Sequence, residues 1–561
     1  MDPFVEATWL PESLASRADQ VFPRLTQAQI ERAASHGRQR PTTVGEILME
    51  AGQPYSVFFI LVSGKVEVVR PSAEADAQVT IFGVGQFNGE INLLSGRRSL
   101  GTARVTEAGE IIELDRAQLL ALIQADAELS EIIMRAFILR RVALFARRIG
   151  DVVVIGSLFC GDTLRVKEFL NRNGHPYQYI DLDHEAEVQE LLDRFDIQPG
   201  DIPVVVCRGE VVLRTPTNEQ IADCLGFNDA INLTQTRDVV VVGAGPAGLA
   251  AAVYAASEGL DVLVLEHTAP GGQAGSSSKI ENYLGFPNGI SGQELAARAY
   301  NQAQKFGAQF AIAKGATKLQ CDGHNYAIQL RDDTTVRART IIIASGAQYR
   351  KLPIENLHQF EGLGIYYAAT FMESQLCRAE EVIVVGGGNS AGQAAVFLAR
   401  TAQRVHLFVR SDGLAESMSR YLILRIEEDP AITLRTNTEI LALEGTDHLE
   451  RVRWRNNKSG AEETHSIRHV FLMTGADPCT DWLDGCVLVD AKGFIKTGPD
   501  LSSDELAAAH WPLARPPYLL ETSRPGVFAV GDVRGGNPKR VASAVGEGSV
   551  AITFVHNVLR E

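Results

Sequence analysis

The chain has 561 residues, of which 45% are hydrophobic and 22% are charged, and its net charge is −16 at pH 7. This length is too great for one hydrophobic core and predicts three or four globular domains. The acidic balance argues against a nucleic-acid binder and a basic membrane-surface protein, and no apolar run is long enough to span a membrane.

Seven cysteines are spread along the chain, and no two of them form a Cys-x-x-Cys pair. The N-terminal residues MDPFVEATWL lack the basic start and apolar core of a signal peptide. We therefore expect a cytoplasmic protein with reduced cysteines, and no residue spacing predicts a metal site.

Residues 44–115 contain short apolar or alternating runs separated by glycine, which predict an all-β unit with a helix behind it. The segments FFILVSGKVEV and GQFNGEINLLSGRRSL resemble the cyclic-nucleotide-binding domain family, a β-barrel capped by a helix. The resemblance implies a pocket in which Gly89 and Glu90 hold the ribose. The family's phosphate-binding arginine falls on Ser99 in this chain, and Arg98 is the adjacent candidate.

Two interpretations of this predicted domain stay open. In the first, a short register shift brings Arg98 to the phosphate of a cyclic nucleotide. In the second, the barrel serves assembly or senses another ligand, because a buried phosphate without a correctly placed guanidinium loses its bidentate partner. No helix-turn-helix pattern follows, so a transcription factor is not indicated.

Residues 151–183 have the pattern strand, turn, helix, strand, and DIPVVVCRGEVVL supplies two more strands. This order resembles the glutaredoxin and thioredoxin family, which implies Cys160 at a helix N-terminus and Pro203 as a cis-proline facing it. Thr163 replaces the family's second cysteine and excludes a dithiol cycle within this motif. Cys160 is then either a single reactive thiol, activated by the helix dipole, or a small buried apolar residue.

A strand, a glycine turn, a helix of small residues and a second strand follow in order over residues 238–266. The turn has the spacing Gly-x-Gly-x-x-Gly, and the second strand ends in a carboxylate. Such a unit binds a dinucleotide, because the turn and helix N-terminus face the pyrophosphate and the acid binds a ribose hydroxyl. The alternative, a glycine turn in an ordinary βαβ unit, gives the acid no role. The residues concerned are Gly243, Gly245, Pro246, Ala247, Gly248 and Glu266.

A second unit of the same kind, VIVVGGGNSAGQAAVFL, begins at Val382. Two dinucleotide units in one chain predict a flavin and a nicotinamide nucleotide held together, because hydride transfer requires a fixed geometry between them. The second unit contributes Gly386, Gly388, Asn389, Ser390 and Ala391.

With the segments IIIASGA and GVFAVGDV, these units closely resemble the low-molecular-weight thioredoxin reductase family. The resemblance implies FAD on the first unit, an NAD(P)H domain inserted into the FAD domain, and a homodimer formed through the FAD domains. The further flavin-site residues that it implies are Gly272, Gln273, Asn282, Ala344, Gly346, Gly531, Asp532, Lys539, Arg540 and Val541.

The predicted fold class is therefore multidomain. A β-barrel with helices precedes an α/β thioredoxin-like domain, and two α/β Rossmann-like nucleotide-binding domains follow. The predicted boundaries are 1–149 for the barrel, 150–228 for the thioredoxin-like domain, 236–351 with 473–561 for the FAD domain, and 352–472 for the NAD(P)H domain.

Three departures from the family limit what the resemblance implies. Ala368 and Phe371 replace its Cys-x-x-Cys, so a bound flavin cannot reduce an internal dithiol. The strand after the second glycine turn ends without an acid and is followed by Arg410, which favours NADPH over NADH unless this arginine is only a solvated strand end. Lys539 and Arg540 occupy the flavin's pyrimidine edge, where we expect a cation to raise the flavin potential.

The sequence thus predicts an FAD-dependent NAD(P)H oxidoreductase with an unidentified electron acceptor. Two alternatives stay open. In one, Cys160 is the working thiol of a disulfide reductase; in the other, the protein is a redox or nucleotide sensor with little turnover. The predicted partners are a nicotinamide nucleotide, the unknown acceptor and a cyclic nucleotide, with no nucleic acid and no membrane.

Overall fold

The computed structural model consists of four units built around separate sheets, and the fourth unit is inserted into the third. In the described part of the chain, no helix is long and apolar enough to cross a membrane. The residues that the structure describes are 10–54, 57–70, 77–147, 150–157, 160–182, 199–209, 211–321 and 326–561.

The N-terminal unit consists of two antiparallel sheets with strand orders β1-β7-β3 and β2-β6-β4-β5. Strand β3 is apolar on both faces, with Phe58 and Ile60 in one core cluster and Phe59 and Leu61 in the other. The elements are α1 (Glu12–Ala15), α2 (Ala18–Val21), α3 (Gln27–Ala34), β1 (Arg38–Pro41), β2 (Ile47–Met49), β3 (Phe58–Leu61), β4 (Lys65–Arg70), β5 (Ala77–Phe82), α4 (Asn92–Ser95), β6 (Thr102–Glu107), β7 (Glu110–Leu114), α5 (Arg116–Ala125) and α6 (Ala127–Ala146).

The second unit has the four-stranded sheet β11-β10-β8-β9, with β8 and β9 parallel and the other pairs antiparallel. The order of strands and helix along the chain is the one that the sequence predicts. Helix α7 connects the two parallel strands and buries Val166, Phe169 and Leu170. The elements are β8 (Val152–Gly156), α7 (Gly161–Arg172), β9 (Gln178–Asp181), β10 (Val204–Cys207), β11 (Val211–Arg214) and α8 (Asn218–Cys224).

The third unit is a mainly parallel sheet, β14-β13-β12-β17, with β28 parallel to β17 and an antiparallel extension through β16 and β15. Helix α9 is rich in alanine and contains one glycine, and these small residues allow it to pack closely between the sheet and helix α16. Its elements are β12 (Arg237–Val242), α9 (Pro246–Ser257), β13 (Val262–Glu266), α10 (Gly272–Gly275), α11 (Gly292–Lys305), β14 (Gln309–Ile312), β15 (Ala316–Gln320), β16 (Tyr326–Leu330), β17 (Thr335–Ile343), α15 (Ser503–Ala508), β28 (Val527–Ala529) and α16 (Val541–Arg560).

The inserted unit has a five-stranded parallel sheet, β19-β26-β20-β21-β22, and a separate antiparallel meander, β23-β24-β25. Its entry strand β18 and exit strand β27 pair antiparallel, so both connections to the third unit lie side by side. The elements are β18 (Ala347–Tyr349), β19 (Ile365–Tyr366), α12 (Phe371–Leu376), β20 (Glu381–Val385), α13 (Asn389–Leu398), β21 (Arg404–Phe408), α14 (Arg420–Glu428), β22 (Ile432–Arg435), β23 (Thr438–Glu444), β24 (Arg451–Asn456), β25 (Glu462–His465), β26 (His469–Leu472) and β27 (Ala476–Pro478).

Two cysteines differ from the expectation of an entirely reduced protein. Cys321 follows β15, Cys486 lies beyond β27, and the two form a disulfide with their Cα atoms 6.1 Å apart. Because they are 165 residues apart in sequence, no spacing rule could have paired them. The disulfide joins the antiparallel extension of the third unit to the segment by which the chain returns from the inserted unit.

Candidate functional site

A cavity of about 470 Å³ lies where the third unit, the inserted unit and the paired strands β18 and β27 meet. The first glycine turn and the start of the helix that follows the second glycine turn contribute to its wall. Of the sequence-predicted residues, those that line it are Gly243, Gly245, Pro246, Ala247, Glu266, Gly272, Gln273, Asn282, Ala344, Gly346, Asn389, Ser390, Gly531, Asp532, Lys539, Arg540 and Val541.

The three glycines of the first turn have different physical roles. Gly243 has a φ of +104°, and a Cβ there would lie 2.3 Å from the Ala344 oxygen. A Cβ on Gly248 would lie 1.9 Å from the Gly243 oxygen, so this glycine allows α9 to pack against the turn and does not line the cavity. Gly245 faces open space, with the Gly272 Cα at 3.9 Å as its nearest neighbour. The open side of Gly245 can therefore accept a ligand close to the backbone.

Helix α9 begins at this open side. Gly245 is its N-cap, Pro246 occupies the first turn, and no side chain caps its first N–H groups. Uncapped N–H groups and the positive end of the helix dipole favour an anion, and a dinucleotide pyrophosphate is an anion of this kind.

Glu266 ends β13 and is buried beside the same turn. One carboxylate oxygen accepts a hydrogen bond from the Ala244 N–H at 2.8 Å, and the other accepts from the N–H groups of Thr268 and Ala269 at 2.8 and 3.1 Å. A carboxylate has about four acceptor positions. Glu266 is therefore fixed by the backbone and retains capacity to accept a hydrogen bond from a ribose hydroxyl in the cavity.

The opposite wall carries charged groups near the N-terminus of α16. Burial raises the pKa of Asp532, which Lys539 partly offsets, and burial lowers the pKa of Lys539. The Lys539 Nζ donates to the Asp532 carbonyl oxygen at 3.3 Å. Arg540 is the N-cap residue of α16 and is exposed at the cavity margin. The two predicted cations thus share one edge of the cavity.

Gln273 belongs to the short helix α10 and is held by the connection between the units. Its Nε2 donates to the Ala347 oxygen at 2.5 Å, at the start of β18. Asn282 lies in the following loop and also lines the cavity.

The second glycine turn repeats the arrangement of the first. Gly386 has a φ of +149°, and a Cβ there would lie 2.4 Å from the Met473 oxygen and 3.0 Å from the Ala391 Cβ. A Cβ on Gly388 would meet nothing within 4 Å, and α13 begins there without a side-chain cap. The Ser390 hydroxyl is hydrogen-bonded to Tyr349. Both helix N-termini therefore open towards one cavity.

Arg410 is exposed just beyond β21 and does not line the cavity, and its charge contributes to lowering the pKa of Glu439. The structure thus brings Asn389 and Ser390 together with the first site, whereas Arg410 lies farther out on the inserted unit.

The segment that replaces the family's two cysteines lines the same cavity through Tyr367, Ala368 and Ala369. The Tyr367 hydroxyl donates to Glu361 at 2.6 Å, and burial together with Glu361 raises the pKa of Tyr367. None of the described cavity-lining residues is a cysteine. Electrons in this cavity therefore have no thiol pair beside them.

Cys160 is the N-cap residue of α7 and is half-buried, with its Sγ 3.9 Å from the Ile202 oxygen. The Ile202–Pro203 peptide bond is cis, as the resemblance implies. A Cβ on Gly161 would lie 3.7 Å from the Gly362 Cα, so the start of α7 faces the backbone of the inserted unit. The thiol is thus at a domain junction and not in the cavity.

The predicted cyclic-nucleotide pocket is only partly assembled. A Cβ on Gly89 would lie 2.9 Å from the Phe137 ring, and Glu90 faces Arg141 at 3.7 Å. Arg98, which a register shift would bring to the phosphate in one of the two open interpretations, forms an ion pair with Asp229 at 2.6 Å. The cation beside Glu90 is therefore Arg141 of helix α6. Arg98 is engaged at the next domain boundary.

Sequence reasoning missed several residues that line the cavity. Tyr349, Gln393 and Met473 lie outside the motif positions, and Arg172 comes from the thioredoxin-like unit. No pattern in the glycine units signals a residue supplied by a separate domain.

The cavity brings together the first glycine turn, two uncapped helix N-termini and the buried carboxylate of Glu266. These features fit FAD and a nicotinamide nucleotide and define an FAD-dependent pyridine nucleotide oxidoreductase. Residues 237–548 match the family model for pyridine nucleotide-disulphide oxidoreductases, and the chain belongs to this family. Residues 40–126 match the cyclic nucleotide-binding domain, and residues 152–212 match glutaredoxin.

The curated relatives include two bacterial thioredoxin reductases. The protein from Bacillus subtilis (strain 168) is 31% identical over 325 residues, which is 58% of this chain and 95% of the relative. That from Mycolicibacterium smegmatis is 34% identical over 314 residues, covering 56% of this chain and 94% of the relative.

Solved structures give the same assignment. Lactococcus lactis thioredoxin reductase, in a structure titled as the FR conformation, matches with a TM-score of 0.52 and 29% identity, over 58% of this chain and all of the other. The T. acidophilum thioredoxin reductase matches with a TM-score of 0.51 and 28% identity, over 58% and 99% of the two chains.

Proposed function

We propose that this protein uses an FAD held in the cavity to accept electrons from NADPH. It then delivers these electrons to an acceptor that approaches from outside. The observation that carries this proposal is that the first glycine turn and the first residues of α13, Asn389 and Ser390, line one cavity, with Ser390 bonded to Tyr349 of the connection. When bound, FAD accepts a hydride from a nicotinamide nucleotide and returns electrons to an acceptor. The residues of this chain supply binding, orientation and charge.

In this proposal, residues 236–351 and 473–561 form the FAD domain. The N-terminus of α9 holds the pyrophosphate, Glu266 holds a ribose, and Asp532 holds the ribityl chain. Gln273 and Asn282 lie near the isoalloxazine, and Lys539 and Arg540 lie at its pyrimidine edge. Gly272, Ala344, Gly346, Gly531 and Val541 complete the wall.

The nicotinamide nucleotide is assigned to residues 352–472, with its pyrophosphate at the N-terminus of α13. We favour NADPH because β21 ends without a carboxylate and Arg410 is exposed at that end, where a 2′-phosphate would lie. The matched test compares Arg410→Gln with Arg404→Gln, since Arg404 lies at the opposite end of the same strand. A larger KM for NADPH in Arg410→Gln alone supports the assignment, and equal values in both variants contradict it.

Anaerobic titration tests competence and donor together. The flavin absorbance of the full-length holoprotein is followed while NADPH or NADH is added. We expect rapid bleaching by NADPH at lower concentration than by NADH. A flavin that neither nucleotide bleaches would contradict the proposed function and favour a sensor with little turnover.

A second candidate function is disulfide reduction through Cys160. It is favoured by the position of this thiol, which lies at the N-terminus of α7 and beside the cis-proline loop. In this proposal, residues 150–228 form the thioredoxin-like domain that carries it. Helix α7 has 12 residues and spans about 18 Å. Because its other end touches the cavity through Arg172, a relay to Cys160 requires movement of the units or a second subunit.

Cys160→Ser distinguishes the two candidates, with Cys377→Ser as the control. Cys377 is buried, and burial raises its pKa to about 12, so it is a poor nucleophile near neutral pH. Loss of disulfide-reductase turnover in Cys160→Ser, with normal flavin bleaching, supports the relay. Turnover that survives the substitution shows that electrons leave the flavin directly.

We further propose that residues 1–149 regulate this activity and that the protein is a homodimer formed through its FAD domains. The match to the cyclic nucleotide-binding family supports the first proposal, and the family resemblance supports the second. Gly89 and Glu90 are candidate ribose contacts, with Arg141 in place of Arg98 as the neighbouring cation. A rise in the unfolding temperature with cyclic AMP or cyclic GMP supports this role, and its absence with both nucleotides contradicts it. Light scattering tests the dimer.

A further inference from the structure

The thioredoxin-like unit reaches into the nucleotide cavity of a different domain. Arg172, the last residue of α7, lines that cavity. Its Nη2 donates to the carbonyl oxygens of Ala269 at 3.3 Å and Gly272 at 3.0 Å. The adjacent Asn173 donates from Nδ2 to the Thr268 oxygen at 3.3 Å. Two consecutive residues of one domain therefore hold a five-residue segment of another.

That segment, Thr268 to Gly272, is part of the dinucleotide site. The Thr268 N–H donates to Glu266 at 2.8 Å, and the Gly271 N–H donates to the Ala244 oxygen at 2.7 Å. A Cβ on Gly272 would lie only 2.9 Å from the Gly245 Cα, so the segment is in contact with the first glycine turn. The inner side of the segment thus contacts the Glu266 carboxylate and the first glycine turn, while its outer side is held by α7.

Arg172 also places a charge at the cavity wall. Its side chain is 16% exposed, and Nη1 donates to Glu168 at 3.3 Å on the partly exposed side. The Nε is buried and has no hydrogen-bond partner in the described structure. A guanidinium at the wall of a cavity suited to a diphosphate contributes attraction as well as geometry, because guanidinium and phosphate groups carry opposite charges.

We propose that Arg172 is a positioning residue of the FAD site, supplied by the thioredoxin-like domain. It holds Thr268 to Gly272 against the first glycine turn and adds positive charge on the side of the cavity where Glu266 lies. The inference rests on the proposed function, since it concerns the affinity for FAD. The consequence is that the flavin site is not complete within the FAD domain alone, and that docking of the thioredoxin-like domain sets how tightly the flavin binds.

The test measures FAD binding to full-length apoprotein, by quenching of flavin fluorescence, for wild type, Arg172→Gln and Arg172→Lys. The matched control is Arg165→Gln. Arg165 lies on the same helix, but its partners are Asp162, Asn218 and the Pro216 oxygen within its own domain. We expect Arg172→Gln to raise the Kd for FAD about tenfold, Arg172→Lys to recover part of the loss through its charge, and Arg165→Gln to match wild type.

Salt dependence provides a readout that a purely structural contact would not change. If the Arg172 charge attracts the diphosphate, the Kd of wild type increases more steeply with ionic strength than that of Arg172→Gln. The KM for NADPH should be unchanged in both, because Arg172 does not touch the second glycine turn.

Three results would overturn the inference. One is an Arg172→Gln protein with wild-type Kd and wild-type salt dependence. Another is equal weakening by Arg165→Gln in a protein that unfolds at the wild-type temperature, which would mean that the contacts of Arg172 with the FAD domain are not the cause. If Arg172→Gln itself fails to fold, Arg172→Lys decides. A Kd for FAD and a salt dependence in Arg172→Lys that both equal those of wild type would then exclude a role for the Arg172 contacts with the carbonyl oxygens. A wild-type apoprotein that binds no FAD would instead refute the proposed function, so the two failures are distinguishable.

Discussion

At the scale of single residues, the two glycines of the second turn separate folding from binding. Gly386 has a left-handed φ and a carbonyl oxygen 2.4 Å from the position of a Cβ. Gly388 has an ordinary φ of −92° and open space on the same side. The backbone therefore requires a glycine at the first position, whereas only a ligand requires one at the second.

We predict that Gly388→Ala folds normally and weakens NADPH binding. The added methyl group would occupy the space that faces the pyrophosphate. A loss of about 1.4 kcal/mol in the free energy of NADPH binding corresponds to a tenfold rise in Kd. The measurement is the KM for NADPH beside the unfolding temperature and FAD content. Gly386→Ala is the contrast, because it should lower stability by more than about 2 kcal/mol. Equal NADPH binding in Gly388→Ala and wild type would contradict the assignment.

We predict that Arg540→Gln lowers the midpoint potential of the bound flavin. A cation beside the pyrimidine edge stabilises the anionic reduced form, and a tenfold change in a two-electron equilibrium corresponds to roughly 30 mV. Redox titration against dyes of known potential measures this value. Arg400→Gln, an exposed position on the inserted unit, is the control. An unchanged potential in Arg540→Gln would remove the proposed role of this charge.

Residues within the glycine fingerprints could be predicted because the local chain alone brings them together. Gly243, Gly245 and Glu266 lie within one βαβ unit, and the cavity contains all three. Arg98 and Arg172 could not be placed in this way. Each has partners in another domain, Asp229 for the first and Gly272 for the second, and such contacts depend on docking.

At the scale of elements, the sheet of the inserted unit contains a partly buried histidine at the start of β26. The His469 ring stacks on Tyr366 of β19, and its Nε2 lies 3.3 Å from Glu380. Burial lowers the pKa of His469 to about 4, and the Glu380 carboxylate opposes this shift. The folded state therefore holds this histidine neutral at a pH where an unfolded chain would protonate it.

We predict that His469 makes the inserted unit less stable as the pH falls from about 6.5 to about 4. In that window the unfolded state binds more protons, so stability rises with pH, by at most about 1.4 kcal/mol per pH unit for one group. Urea unfolding of wild type and His469→Gln between about pH 7 and pH 5 measures the slope. The exposed His358 provides the control, His358→Gln. A slope that persists in His469→Gln would assign the effect to other groups.

The disulfide of the third unit gives a second prediction for elements. Cys321→Ser should destabilise the FAD domain by about 2–4 kcal/mol, because the bond closes a long loop that contains the whole inserted unit. Thermal unfolding with and without a reductant measures the loss. Cys479→Ser changes a free, half-buried cysteine of the same domain and should have little effect. If wild type and Cys321→Ser unfold at the same temperature without a reductant, the bond does not stabilise the domain.

Most elements could be predicted from hydrophobic pattern and turn chemistry. Strand β12 and helix α9 follow from an apolar run, a glycine turn and a series of alanines. The antiparallel extension through β15 and β16 and the meander β23-β24-β25 could not be placed in advance. The extension is buried against Leu483 and Ile495, and Trp454 of the meander is buried against Phe360 and Phe408; the local sequence does not reveal such distant partners.

At the scale of the whole molecule, three domains meet around one buried arginine. Arg97 of the barrel lies 4.0 Å from the centre of the Phe227 ring. It donates to the Asn173 oxygen at 3.3 Å and to the Tyr300 hydroxyl at 3.2 Å. Burial lowers the pKa of Arg97, since the charged form loses water at this junction.

We predict that Arg97→Ala releases the barrel from the other units. Loss of two charge-assisted hydrogen bonds and the ring contact should cost about 3 kcal/mol. Differential scanning calorimetry should then show an earlier, separate transition for the barrel. Arg98→Ala, which removes a partly exposed ion pair, should cost less than about 1 kcal/mol and serves as the control. A single unchanged transition in Arg97→Ala would mean that the junction is held elsewhere.

The insertion between β18 and β27 also has a consequence for biosynthesis. Helix α9 packs against α16, where a Cβ on Gly548 would lie 2.2 Å from the Ala247 oxygen. Helix α16 leaves the ribosome only after the entire inserted unit and β28. The barrel, the thioredoxin-like unit and the inserted unit can each fold while the first glycine turn still lacks its last packing partner. We therefore expect FAD to bind late in the synthesis of the chain. A pause in translation before α16 would leave the cofactor site incomplete and exposed.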